Sequence, residues 1–165
     1  MQKVRPLLRI PPEYLEAIPH GRELLSPLYQ FENGLRLAIH KHLSTCYGTN
    51  WWDDKLRFDL PDIHIYATEQ KAKSDKMPWI GDSPNVKALP IHRITLGHLE
   101  EIVKKFQSDC IPELFPTLEF FLGHMEGIKR VRNLYSHMFP CLDADDSRLA
   151  KREILTLSEH LNTKL

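Results

Sequence analysis

Residues 117–138 read TLEFFLGHMEGIKRVRNLYSHM, and this run decides the fold. No proline interrupts it. At about 100° per residue, Leu118, Phe121, Met125, Ile128, Tyr135 and Phe139 fall on one apolar face. The spacing predicts an amphipathic helix from about Thr117 to His137 or Met138, stopped by Pro140. Its last turns carry Arg132, Asn133 and His137. A guanidinium keeps its charge and grips phosphate bidentately. Imidazole changes protonation near neutral pH. The set suits holding or cutting a phosphodiester. Arg132 falls in the middle of the apolar face, where a permanent charge is costly unless it is paired or lines a cleft. Asn133 and His137 share the opposite side with Glu126 and Arg130. On an ideal helix Arg132 and His137 diverge by roughly 140°. They reach one phosphate only at a distorted helix end, or where a second chain supplies the missing half.

Working outward, the same periodicity recurs. Leu28, Phe31, Leu35, Ile39, Leu43 and Cys46 are spaced by three and four between Arg22 and Tyr47. Pro27 either kinks that helix or begins it. Gly48 closes it as a C-cap, and Glu32 with Arg36 forms an i, i+4 pair. Thr95 reads as the N-cap of a helix carrying Leu96, Leu99, Ile102, Val103 and Phe106. Asp143, Asp145 and Asp146 precede a last helix near Ser147–Leu161, where acids favour the N-terminal dipole. Trp51 and Trp52 are adjacent. They read as core packing at a helix corner or as a base-stacking platform.

Proline and glycine mark the remainder. Residues 1–21 carry Pro6, Pro11, Pro12, Pro19 and Gly21 and read as an arm. Residues 59–94 carry Pro61, Pro78, Pro84 and Pro90 and read as an irregular insertion. Within it, Ile63–Ala67 either continues a helix or is briefly extended. Four substantial helices and no hairpin signal make an all-α bundle, one domain over residues 22–165.

The 22 basic and 22 acidic residues cancel, which argues against non-specific coating of nucleic acid. Local basic clusters remain at Lys129, Arg130 and Arg132, and at Lys71, Lys73 and Lys76. No apolar run approaches a membrane span, and no signal-peptide layout opens the chain. Cys46, Cys110 and Cys141 are odd in number and far apart. They make neither a disulfide framework nor a zinc knuckle, so a reducing cytoplasm fits. There is no H-E-x-x-H or Gly-rich phosphate loop, and His40 and His42 face different sides of their helix. No metal or cofactor is called for.

Arg132-Asn133-x-x-x-His137 on the penultimate helix of such a bundle resembles the HEPN superfamily. Glu32-x-x-Leu35-Arg36, Tyr47-Gly48-x-x-Trp51-Trp52, Ile94-Thr95-Leu96-Gly97-x-Leu99 and Phe115 precede it in that order. The order is similar to a branch found in RNA-surveillance endonucleases and bacterial defence proteins, and covers about residues 22–161. The resemblance implies a four-to-five-helix bundle and a homodimer whose motif helices meet across a cleft in a composite active site. It also implies a metal-independent endoribonuclease, a toxin or antiviral effector restrained by an antitoxin or other partner protein. His137 would be general acid or base at the ribose 2′-hydroxyl or the leaving oxygen. Arg132 would hold the scissile phosphate, and Asn133 would orient the pair. Lys129 and Arg130 would bind RNA. Tyr135 and Ser136 occupy variable positions beside them, Tyr135 in support. Glu32 either pairs with Arg132 across the bundle or stays a surface acid. The competing expectation is a non-catalytic HEPN module that dimerises and binds RNA or protein.

Overall fold

The structure is a computed structural model and describes residues 17–75, 89–136 and 143–164. It is all-helical there. Helix α1 spans Ala17–Tyr47. A π-helical turn, Trp52–Leu56, runs into the short α2, Arg57–Asp59. Next come α3 (Pro61–Asp75), a 3-10 turn (Pro90–Arg93) and α4 (Leu96–Lys105). Then follow α5 (Gln107–Cys110), α6 (Leu118–Ser136) and α7 (Ala144–Asn162).

The ends of these helices follow local chemistry. Gly48 stops α1 at a φ of 85°, a backbone region that glycine enters without steric cost. Thr95 and His98 form a reciprocal capping box on α4. The Thr117 hydroxyl accepts from the Phe120 N–H, and the Asp143 carboxylate accepts from the Asp146 N–H. Those two side chains satisfy donors that the first turns of α6 and α7 leave open.

Two expectations are corrected. Helix α1 passes through Pro27 and begins inside the expected arm, with Gly21 and Leu24 already buried. Residues 1–16 lie outside the described residues. The insertion is not irregular throughout, because residues 61–75 form α3. Pro61 suits a first helical position, Ile63 and Ala67 one turn on are buried, and Lys71 pairs with Asp75 at 2.7 Å. With so few apolar positions, α3 gives little periodic signal. Residues 76–88, including Lys76, lie outside the described residues.

The core joins α1, α4, α6 and α7. Leu28, Leu35, Ile39, Leu99, Val103, Phe121, Met125, Ile128, Ile154 and Leu157 are all buried. Helix α7 lies along α1, with Lys151 on Glu23 at one end and the Lys41 ammonium on the Lys164 carbonyl at the other. It runs antiparallel to α6, as Arg130 faces Asp146 and Phe120 meets His160.

Both tryptophans are core residues. Trp51 is fully enclosed and Trp52 is 6% exposed, packed edge to face at 5.5 Å. No open face remains for stacking a base. The indole N–H of Trp51 donates to Nδ1 of His40 at 3.1 Å, so that nitrogen must carry a lone pair. Burial pushes the His40 pKa below its ordinary 6.5, in keeping with a neutral ring. A folded value below the unfolded one means stability that is complete above about 6.5 and lost as pH falls through the folded value. His40→Asn keeps an acceptor near the Nδ1 position but cannot be protonated there. Its unfolding free energy should change less between pH 7.5 and 5.5 than that of the native chain, as read by urea denaturation; an equal change would contradict this account.

Candidate functional site

Helix α6 carries Arg132 and Asn133 in its C-terminal turns, and its rotation is fixed on both sides. On one side Glu100 of α4, 7% exposed, is gripped by Lys104 and by Lys129 of α6, each at 2.5 Å. Burial alone would raise the Glu100 pKa, but its hydrogen bonds to the two ammonium groups outweigh that and hold it low. On the other side Glu153 of α7, 8% exposed, takes Nδ1–H of His124. Its second oxygen takes Arg152 through Nη2 at 2.9 Å and Nε at 3.3 Å. Burial again opposes ionisation, and the bonds to His124 and Arg152 prevail. Gly127 faces α7, where a Cβ would stand 3.5 Å from Cγ of Glu153, an ordinary van der Waals contact.

The buried stripe of α6 runs through Phe121, Met125, Ile128 and then Val131. Arg132 beside it is half-buried rather than enclosed, and Asn133 is exposed. Arg132 is therefore not the sealed charge that the helical pattern suggested. Among the described residues it has no hydrogen bond or ion pair. Glu32 does not reach it. That carboxylate binds Nη2 of Arg36 on its own helix. Arg36, 7% exposed, also donates to the carbonyls of Ile91 at 3.2 Å and Ile94 at 2.9 Å. The acid and base of the E-x-x-L-R segment thus clamp the turn leading into α4.

The expected RNA-binding pair divides. Lys129 is committed to Glu100. Arg130 projects into solvent, with its side chain 71% exposed and Asp146 at 3.5 Å. His137 and the side chain of Tyr135 lie outside the described residues. Arg132 and Asn133 are adjacent, but their relation to the imidazole is not part of the described geometry.

Other reactive groupings lack the chemistry of a nucleophilic site. Sγ of Cys46 is 3.6 Å from Nε2 of His42, but the Asp109 carbonyl stands 2.7 Å from the same nitrogen. That nitrogen donates to the carbonyl and has no lone pair for a thiol proton. Partial desolvation, with the charges of Asp109 and Glu113, pushes the Cys46 pKa up, away from a reactive thiolate. A cavity of about 120 Å³ lined by Lys41, His42, Glu113 and Lys164 lies near the N-terminal end of α6, remote from the motif. Among the described residues no three or more His, Cys, Asp or Glu side chains gather where they could hold a metal. No helix there is long and apolar enough to cross a membrane.

Sequence reasoning missed the His124–Glu153–Arg152 grouping. Its members stand 29 residues apart in sequence, and no local pattern links them. Comparison with protein-family models, characterised proteins and solved structures finds no match to this chain.

Lys129→Met removes one of two partners from a buried carboxylate. After discounting for solvent screening it should cost about 1 kcal/mol of stability. Arg130→Met, at an exposed position, should stay within about 0.5 kcal/mol of native. Thermal unfolding of both checks this, and equal effects would contradict the assigned role of Lys129.

Proposed function

We propose that the chain is a metal-independent endoribonuclease of HEPN type, working as a homodimer with a composite site. One observation carries the reading. Arg132, half-buried on the last turns of α6, has no partner among the described residues, while neighbouring cationic side chains are engaged. Lys129 is tied to Glu100 and Arg130 faces Asp146. A partly desolvated guanidinium with no partner among the described residues is suited to a phosphate, to which it offers a planar fork and a fixed charge.

In this reading His137 removes the ribose 2′-hydroxyl proton or protonates the leaving oxygen. Arg132 neutralises charge building on the phosphate, and Asn133 orients the two. The 2′-oxygen attacks the adjacent phosphorus, leaving a 2′,3′-cyclic phosphate and a 5′-hydroxyl. DNA, lacking that hydroxyl, is not cut. The 140° divergence along one ideal helix calls for a second α6 across a cleft. Such an enzyme is a toxin or antiviral effector in the cytoplasm, held in check by an antitoxin or another protein. The zero net charge favours a second reading, a non-catalytic dimerisation module.

Purified chain is incubated with labelled single-stranded RNA in EDTA, beside His137→Ala and Arg132→Ala. Cleavage by the native chain should persist and fall by at least about a hundredfold in each variant, with products ending in cyclic phosphate. Equal cleavage in all three, or none in the native chain, contradicts the enzyme.

A further inference from the structure

We infer that Glu100 is a positioning residue for the Arg132 site, holding the last turns of α6 in place through Lys129. The inference rests on the ribonuclease reading for its effect on cleavage; its effect on α6 does not. Glu100 is buried on α4, and its two oxygens divide between two helices. Oε1 takes the Lys104 ammonium, one turn on along α4 itself. Oε2 takes the Lys129 ammonium of α6. The first contact fixes the carboxylate on its own helix, and the second ties α6 to it. That helix is a firm anchor. Thr95 and His98 cap it reciprocally, and the His98 ring meets Tyr66 of α3 edge to face at 4.6 Å. Arg36 holds the Ile94 carbonyl beside its N-cap at 2.9 Å.

Lys129 passes this constraint to the site. It precedes Arg132 by three residues and Asn133 by four. On an ideal helix it lies about 60° from the first and about 40° from the second, between them and one turn below. The His124–Glu153 contact lies two turns back from Arg132. Arg130 meets Asp146 at 3.5 Å through a side chain 71% exposed, a contact that solvent screens. Among the described residues the Glu100–Lys129 pair is therefore the last buried ion pair along α6. A guanidinium that must align with charge developing on a phosphate is sensitive to such a tether, since a misplacement of about 1 Å can cost on the order of a hundredfold in rate. The same geometry separates this role from direct contact of Lys129 with RNA. Removing the Glu100 charge releases the ammonium, which would tighten RNA binding if Lys129 met the strand itself, and slows cleavage if Lys129 serves to hold α6.

The test compares Glu100→Gln, Lys129→Met, Lys129→Arg and Lys104→Met with the native chain on labelled single-stranded RNA in EDTA, and follows the amide resonances of Arg132 and Asn133 in each. Glu100→Gln and Lys129→Met should each lower kcat about tenfold with KM within about twofold of native. Lys129→Arg keeps a cation for the carboxylate and should stay within about threefold of native. Lys104→Met strips the same carboxylate on the α4 side only and should leave kcat within about twofold. In the two slowed variants the Arg132 and Asn133 amides should shift and lose order while those of Phe121 and Met125 hold. An unchanged kcat in Glu100→Gln, or tighter RNA binding by it, overturns the inference. A loss in Lys104→Met equal to that in Lys129→Met also overturns it, as the mark of general destabilisation. If the native chain cuts nothing, the ribonuclease reading falls and the resonances decide: Arg132 and Asn133 amides that move in Glu100→Gln uphold the positioning role, and amides that stay overturn it.

Discussion

A buried guanidinium organises this bundle. Arg36 has little contact with water, and an unpaired charge there would cost several kcal/mol. Glu32 neutralises it one turn away, and the Ile91 and Ile94 carbonyls take donors that would otherwise be stranded. Those carbonyls belong to the 3-10 turn and to the residue before the α4 N-cap, so the same side chain positions α4 against α1. One turn further along α1, His40 accepts the Trp51 indole and anchors the π-helical turn. Two separated segments of the sequence therefore meet along one helix, each through a polar group that a hydrophobic core cannot leave unsatisfied.

The motif helix inherits its place from this arrangement. With α4 set by Arg36, Glu100 meets Lys129 and fixes one side of α6. Glu153 and His124 fix the other against α7. Both carboxylates sit where burial works against their charge, and both stay ionised because cationic or donor groups from a neighbouring turn or helix reach them. Such pairs do less for net stability than for geometry. They select one rotation of α6, in which Val131 enters the core and Arg132 stays at its margin. Arg36 takes the Glu32 carboxylate, and among the described residues Arg132 has no ion pair.

Much of this was legible in the residues. Spacings of three and four located α1, α4, α6 and α7, and Gly48 and Thr95 marked their ends through backbone chemistry that acts locally. Helix α3 was half legible: the Ile63–Ala67 run left a helix and an extended segment open, since only Ile63 and Ala67 are buried, with Tyr66 partly so, and a polar helix resembles a loop in composition. The position of Arg132 was half legible. Ideal periodicity placed it on the apolar stripe, but the choice between it and Val131 depends on tertiary packing. The choice between Arg36 and Arg132 as partner of Glu32 was an i, i+4 contact against a long-range one, and the local contact won. The His124–Glu153 pair left no trace in the sequence, because its partners meet only after α6 and α7 have packed.

The central claim is a division of labour between two arginines, Arg36 for the scaffold and Arg132 for the site. A pair of double-mutant cycles in unfolding free energy tests it most directly, using Glu32→Gln with Arg36→Met and Glu32→Gln with Arg132→Met. The first cycle should give a coupling of about 1 kcal/mol or more, and the second should be additive within about 0.4 kcal/mol. Strong coupling of Glu32 to Arg132, with additivity at Arg36, would contradict the account.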